Sequence, residues 1–240
     1  MPPRGLDPTG IILVDKPPGP SSFAVVAQVR RRTGARTGHA GTLDPFATGL
    51  LLLLSGRATK LASWFVGLEK RYLTDVDLSV RTSTGDPEGE VVERLEPPGS
   101  EELEARLGPL RGVIELPIPA ASAVKIGGER AYRLHRKGVA VDMPVRRSRI
   151  EALDVISYND GIARLDLRVS SGTYVRAIAH ALGGHCATLR RTEVGPFSVD
   201  EADPERVIPP EEALARLPQR SPGGDGEDAA AADDSAADRP

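Results

Sequence analysis

"RRSRIEALDVISYNDGIARLDLRVS", residues 146–170, is the stretch that decides the fold. Two runs rich in Ile, Leu and Val flank Asn159-Asp160-Gly161, a junction that reads as the turn of a long β-hairpin. A hairpin commits the chain to antiparallel pairing. The neighbouring segments agree. "RYLTDVDLSV" (71–80) alternates apolar and polar residues and predicts a strand, with "GEVVERL" (89–95) as its partner across a Gly/Pro turn. Ile11–Val14 predicts a strand that Pro17 and Pro18 end, and "ATLRRTEVGPF" (187–197) predicts a closing strand. Leu50–Leu54 is apolar throughout, and periodicity does not choose between a buried strand and a helix edge.

Helices fall between these strands. Ser22 is expected to cap "FAVVAQVRRR" (23–32), with Gly34 just beyond its basic last turn. "ATKLASWFVG" (58–67), "EELEARLGPL" (101–110), "ERAYRLHRKG" (129–138) and "TYVRAIAHALGG" (173–184) also read as helical. Hairpins mixed with helices, in place of a strand–helix–strand repeat, predict an α+β fold: a mixed, largely antiparallel sheet flanked by helices. Residues 1–9 form an N-terminal arm, 10–199 the main domain, and 200–219 a short extension with room for one helix, "PPEEALARL" (209–217). Residues 220–240 are an acidic tail of mostly small and polar residues, expected to be disordered.

The formal net charge of −3 conceals an asymmetry. Residues 200–240 carry 12 acids and 4 arginines, so the remainder of the chain is at +5. Within it, residues 1–70 hold 9 basic and 4 acidic groups, and residues 120–149 hold 8 and 2. Two basic segments on an acidic chain suit a polyanionic partner, although loose charge runs are more often solvated faces. The single cysteine, Cys186, excludes a disulfide framework and a thiolate zinc site, and the four histidines make no metal-ligand pattern. No signal peptide or membrane-length apolar run is present, which predicts a cytoplasmic protein. Phosphate-loop and serine-elbow motifs are missing, so the common nucleotide-dependent and hydrolase chemistries are disfavoured.

"GHAGTLDPFATG" (38–49) is the chemically distinctive segment. It holds one acid, Asp44, and no other acid follows before Glu69. Pro45 fixes its own φ and restricts Asp44 to an extended conformation. Gly38, Gly41 and Gly49 permit tight backbone, and Thr42 and Thr48 can bond it locally. An Asp-Pro turn is more often structural than catalytic; here its surroundings would present a carboxylate rigidly.

This segment resembles the catalytic motif of the TruB family of pseudouridine synthases, which act on the T-arm uridine at position 55 of transfer RNA. Five further stretches fit in order: "GIILVDKPPGPSS", "ATKL" with "EKRY", "PAASAVKIGGERAYRLHRKG", "SSGTYVRAIAHALG" and "LRR". The likeness spans residues 10 to about 198. It implies the pseudouridine synthase fold and a base-flipping isomerisation in which the N-glycosidic bond is cleaved and the base rejoined through C5. No electrons are exchanged and no phosphate is consumed, so no cofactor or metal is required.

The resemblance assigns roles residue by residue. Asp44 is the catalytic carboxylate, acting by attack at C1′, by attack at C6 or by abstracting a ribose proton; every route begins from the ionised form. Arg176 would be its charged partner. Tyr72 would stack on the flipped uracil and handle the C5 proton, and Tyr174 and Leu189 would line the pocket. His39 would lie by the flipped nucleotide, and Lys16 would support the active-site loop. Without the family, Arg176 reads as a surface or phosphate-binding arginine and Leu189 as core. Arg30–Arg36 and Arg130–Lys137 are candidates for contacts to the RNA backbone.

Some features depart from the pattern. The family often continues into a small RNA-binding domain of the PUA type, and the stretch after residue 198 has no room for one. Ala121 replaces a bulkier residue, and "IAHALGGHC" lacks an acid-rich helix end. The expected substrate is tRNA, bound by a monomer with no guide RNA, protein partner or membrane. The rival readings are an RNA-binding or tRNA-folding module, alone or beside catalysis, and a guide-RNA-dependent relative. A carboxylate glycosidase is more distant, because it needs a second, paired acid.

Overall fold

A computed structural model of the chain describes residues 8–218. Its first elements are β1 (Gly10–Lys16), α1 (Ser22–Thr33), β2 (Thr37–His39), β3 (Thr48–Ser55), α2 (Ala62–Val66) and β4 (Lys70–Asp77). Then come β5 (Val80–Thr82), β6 (Val91–Arg94), α3 (Ser100–Leu107), β7 (Gly112–Pro117), β8 (Lys125–Ile126), β9 (Glu129–Arg130) and α4 (Ala131–Arg136). The chain closes with β10 (Val145–Asn159), β11 (Ile162–Val169), α5 (Val175–Ala181), β12 (His185–Val194), β13 (Phe197–Ser198), β14 (Asp203–Ile208) and α6 (Pro210–Ala215). This is the α+β class expected, with mixed and mainly antiparallel pairing. Two compact units emerge: one is the chain up to Lys70 and from Arg190 on, the other Arg71–Leu189.

In the first unit the strand order is β14-β1-β3-β12, with β2 alongside β3. β1 pairs antiparallel with β3, placing Ile11 opposite Leu54 and Leu13 opposite Leu52. β3 pairs parallel with β12 through Thr48–Arg190 and Gly49–Arg191. Leu50, Leu52 and Leu54 enter a core with Ile11, Leu13, Phe65, Val194, Phe197 and Ile208. Leu51 and Leu53 point the other way and are equally buried. A strand covered on both faces loses its alternation, which is why the leucine run was ambiguous.

Two local expectations shift. The cap of α1 is Ser21, whose side chain accepts from the Ala24 amide, and Ser22 is the first helical residue. Residues 203–208, set apart above as extension, form β14 antiparallel to β1. Ala213 of α6 joins the same core as Ile11. The acidic tail at 220–240, and most of the N-terminal arm, lie outside the described residues.

In the second unit the order is β12-β4-β11-β10-β7, with β12 contributing His185–Leu189. The β10–β11 hairpin forms as expected, and Asp160 and Gly161 both have positive φ (50° and 79°), as a tight primed turn requires. A bulge between Ile150 and Ala152 changes the parity of β10. Ile150 and Leu153, three apart, are therefore both buried. The expected partnership of 89–95 with 71–80 is narrower: β6 pairs with the short β5, in a separate two-stranded sheet. Among the described residues, no helix is long and apolar enough to cross a membrane.

Candidate active site

Asp44 sits in the loop joining β2 to β3 and is half-buried. Its neighbours' carbonyls are held by three buried side chains from elsewhere in the first unit. Lys16, at the end of β1 and fully buried, donates from Nζ to the carbonyls of Pro45 (3.0 Å), Ala47 (2.6 Å) and Pro17 (3.0 Å). Ser22 Oγ donates to the Leu43 carbonyl and accepts from the Leu43 amide, both at 2.8 Å. Arg191 donates from Nε to the Leu50 carbonyl (2.7 Å) and from its two terminal nitrogens to those of Thr42 (3.4 Å) and Gly41 (3.1 Å). The Gly19 amide adds a second donor to the Pro45 carbonyl. Every one of these bonds is to backbone, so the loop's course is set by distant residues.

Glycine does separate work at two positions. Gly49 has φ +100°, and a Cβ there would lie 2.2 Å from the Arg191 carbonyl oxygen. Gly41 has φ +110° and lies over the Arg191 guanidinium. Gly38, by contrast, is an ordinary strand residue with open space at its Cβ position.

Beneath Gly41 a second cation approaches. Lys70 Nζ donates to the carbonyls of Val66 (2.6 Å) and Leu68 (2.5 Å) at the end of α2. Burial, and then the Arg191 charge, push its pKa down to about 7. The same two causes lower the pKa of His39 on β2, which favours the neutral ring at neutral pH, and its Nδ1 is buried without a hydrogen-bond partner.

The other expected site residues belong to the second unit. Tyr72 is buried on the β4 face it shares with Thr74 and Val76. The Thr74 hydroxyl donates to the Thr188 carbonyl of β12 (2.6 Å), and Leu189, next on that strand, is buried. Tyr174 immediately precedes α5, and Arg176 lies in its first turn with 3% exposure. Arg176 donates to the carbonyls of Thr84 and Ala121, both at 2.8 Å, and lies 3.3 Å from the Asp86 carboxylate. Asp86 is itself buried and accepts from the Thr84 hydroxyl (2.5 Å) and the Glu88 amide (3.1 Å). The arginine that looked like a surface residue is thus buried in a satisfied polar network.

Lys70, Asp86 and Arg191 were not singled out from sequence, and Ser22 was expected only as a helix cap. Arg191 stood inside the quoted "LRR", but nothing local distinguishes a buried arginine from an exposed one. Of the basic segments, Arg32 of α1 bonds Glu205 and the Pro204 carbonyl, while Arg30 and Arg31 are exposed. On α4, Arg133 and Arg136 stand 5.9 and 5.6 Å from the Tyr132 ring centre.

Comparison with known proteins adds an independent line. A family model described as TruB family pseudouridylate synthase (N terminal domain) matches residues 29–175. The tRNA pseudouridine synthase B of Mycobacterium sp. (strain KMS) is 43% identical over 219 residues, 86% of this chain and 74% of that protein. A protein of the same name from Synechococcus sp. (strain WH7803) is 40% identical over 240 residues, 89% of this chain and 80% of that protein. Among solved structures, a Cbf5-Nop10-Gar1 complex is similar with a TM-score of 0.61 and 26% identity. That match covers 80% of this chain and 51% of the other, so the chain spans about half of that protein's length.

Proposed function

The chain belongs to the TruB family of pseudouridylate synthases, and on that premise we propose that it isomerises uridine to pseudouridine in tRNA, at position 55 of the T-arm. The observation that carries the proposal is the pinned loop around Asp44. A lone carboxylate whose flanking carbonyls are held by Lys16, Ser22 and Arg191 is pre-positioned, as a reacting group must be.

The chemistry follows from the substrate. The target base is stacked in the T-arm and must leave it, at a cost of a few kcal/mol that stacking on an aromatic side chain offsets. Tyr72 provides that platform, and Tyr174 and Leu189 line the pocket. Asp44, as the carboxylate, starts the exchange of the N1–C1′ bond for a C5–C1′ bond. Arg176 counters its charge. The C5 proton then departs, with Tyr72 as the group that handles it. His39 holds the nucleotide neighbourhood and Lys16 the catalytic loop. Residues 10–199, with β14 and α6 packed onto them, constitute the catalytic domain, acting as a cytoplasmic monomer without guide RNA or protein partner.

The test is release of tritium from C5-labelled uridine in a transcribed tRNA. Wild-type protein is expected to release it and Asp44→Ala is not. A folded wild-type protein that releases no more than Asp44→Ala overturns the reading.

A further inference from the structure

Arg146 is a charged side chain that the reaction above does not use. It lies at the start of β10, opposite Leu116 of β7. Its Nε is buried and has no hydrogen-bond partner, and among the described residues no carboxylate pairs with it. The guanidinium presses on the turn that leads into α5. A Cβ on Gly172, whose φ is +76°, would fall 2.2 Å from one terminal nitrogen and 2.6 Å from Cζ. That turn is stitched together by Thr173, whose hydroxyl donates to the Ser170 carbonyl (2.9 Å). Arg146, Thr173 and Tyr174 share the wall of a small cavity of about 10 Å³, room for roughly one water.

A guanidinium has five N–H donors and is never neutral, and a half-buried one with no acid beside it is costly to hold. An acceptor from outside the chain that reaches the terminal nitrogens offsets part of that cost. We propose that Arg146 is a phosphate-binding residue, taking one phosphodiester of the substrate RNA in the fork of its guanidinium beside Tyr174. The planar fork suits two phosphate oxygens at once, which an ammonium cannot match. The surrounding charge favours the same ligand: residues 120–149 hold 8 basic and 2 acidic groups, and the adjacent Arg147 is exposed. Glycine at 172 is favoured by its φ of +76°, and the guanidinium lies against it there. The inference rests on Tyr174 as a pocket residue. It adds that the backbone of the nucleotide held there is gripped from β10.

The experiment measures binding of a tRNA transcript by wild type, Arg146→Gln and Arg146→Lys over a series of KCl concentrations, with melting curves for each protein. Loss of one phosphate contact should lower the slope of log affinity against log salt by about 0.7–0.9 and weaken binding about tenfold at moderate salt. Arg146→Lys should keep the slope, because it keeps the charge, yet bind more weakly, because it loses the fork. If the arginine merely braces the Gly172 turn, Arg146→Gln melts earlier and retains the wild-type slope; that result overturns the proposal. Should Arg146→Gln not fold, Arg146→Lys decides: affinity equal to wild type refutes the fork. Wild-type conversion of the same transcript is the control for the catalytic reading, so failure of that reading is seen separately.

Discussion

The Asp44 loop and the Arg176 network hold their charged residues by opposite means. Around Asp44 the protein fixes backbone: Lys16, Ser22 and Arg191 bond the carbonyls of Gly41, Thr42, Leu43, Pro45 and Ala47, while the aspartate itself stays half-buried. Around Arg176 it fixes the side chain: two carbonyls and the Asp86 carboxylate surround a guanidinium with 3% exposure. A reacting acid needs a stable approach and an open face. A cation that supplies charge can be buried, provided its donors are matched. The contrast predicts that Asp44 can be changed with little loss of stability, whereas the Arg176 network cannot.

The largest expected effect breaks the comparison at its catalytic end. Asp44→Asn should lower pseudouridine formation roughly 10⁴-fold, measured by tritium release, with nearly unchanged denaturant stability. A large loss of stability would show the aspartate to be a structural cap. Next, Asp86→Ala removes the carboxylate 3.3 Å from the buried Arg176 guanidinium and should cost about 3–5 kcal/mol in urea unfolding. A cost under about 1 kcal/mol would mean that the carbonyls of Thr84 and Ala121 suffice. Lys16→Met should be intermediate. It strips a donor from three carbonyls, costing roughly 2 kcal/mol, and lets the loop drift, lowering kcat about 10²-fold with KM less affected.

The smallest effect concerns pH. Lys70 has a pKa near 7 in the fold and an ordinary value of 10.5. Between those values the unfolded chain carries a proton that the folded chain has released, so stability contributed by this site rises with pH through the window. Urea unfolding of wild type and Lys70→Met at pH 7 and 10 should therefore differ, with the wild type gaining on the variant as pH rises. Parallel profiles would place the Lys70 pKa at its ordinary value.

Much of this architecture is legible in the sequence, for physical reasons. The β10–β11 hairpin is announced by its own turn residues, and α1 by its serine, basic last turn and Gly34. Their contacts are local. Which of Ser21 and Ser22 caps the helix is not a local matter, because Ser22 is turned to Leu43, 21 residues away. Arg191 and Asp86 are opaque for the same reason. An arginine in "LRR" or an aspartate in a polar turn looks solvated until the fold brings carbonyls or a guanidinium to it. β14 was overlooked because "DPERVI" is mostly polar and mostly exposed, and its pairing depends on β1 nearly two hundred residues earlier. The family motifs named Asp44, Tyr72, Tyr174 and Arg176; the residues that support them belong to the tertiary structure.

The long reach of Arg191 also orders events in time. Its bond to Gly41 spans 150 residues, and β1 completes its outer edge only with β14. During synthesis the Asp44 loop emerges early, but the guanidinium that braces it follows 150 residues after Gly41, and the strand that seals its unit comes later still. A contact of such high sequence separation is slow to form and cannot precede its own residues. The nascent chain therefore exposes its carboxylate well before it can aim it, and becomes competent only when nearly all of the domain has left the ribosome.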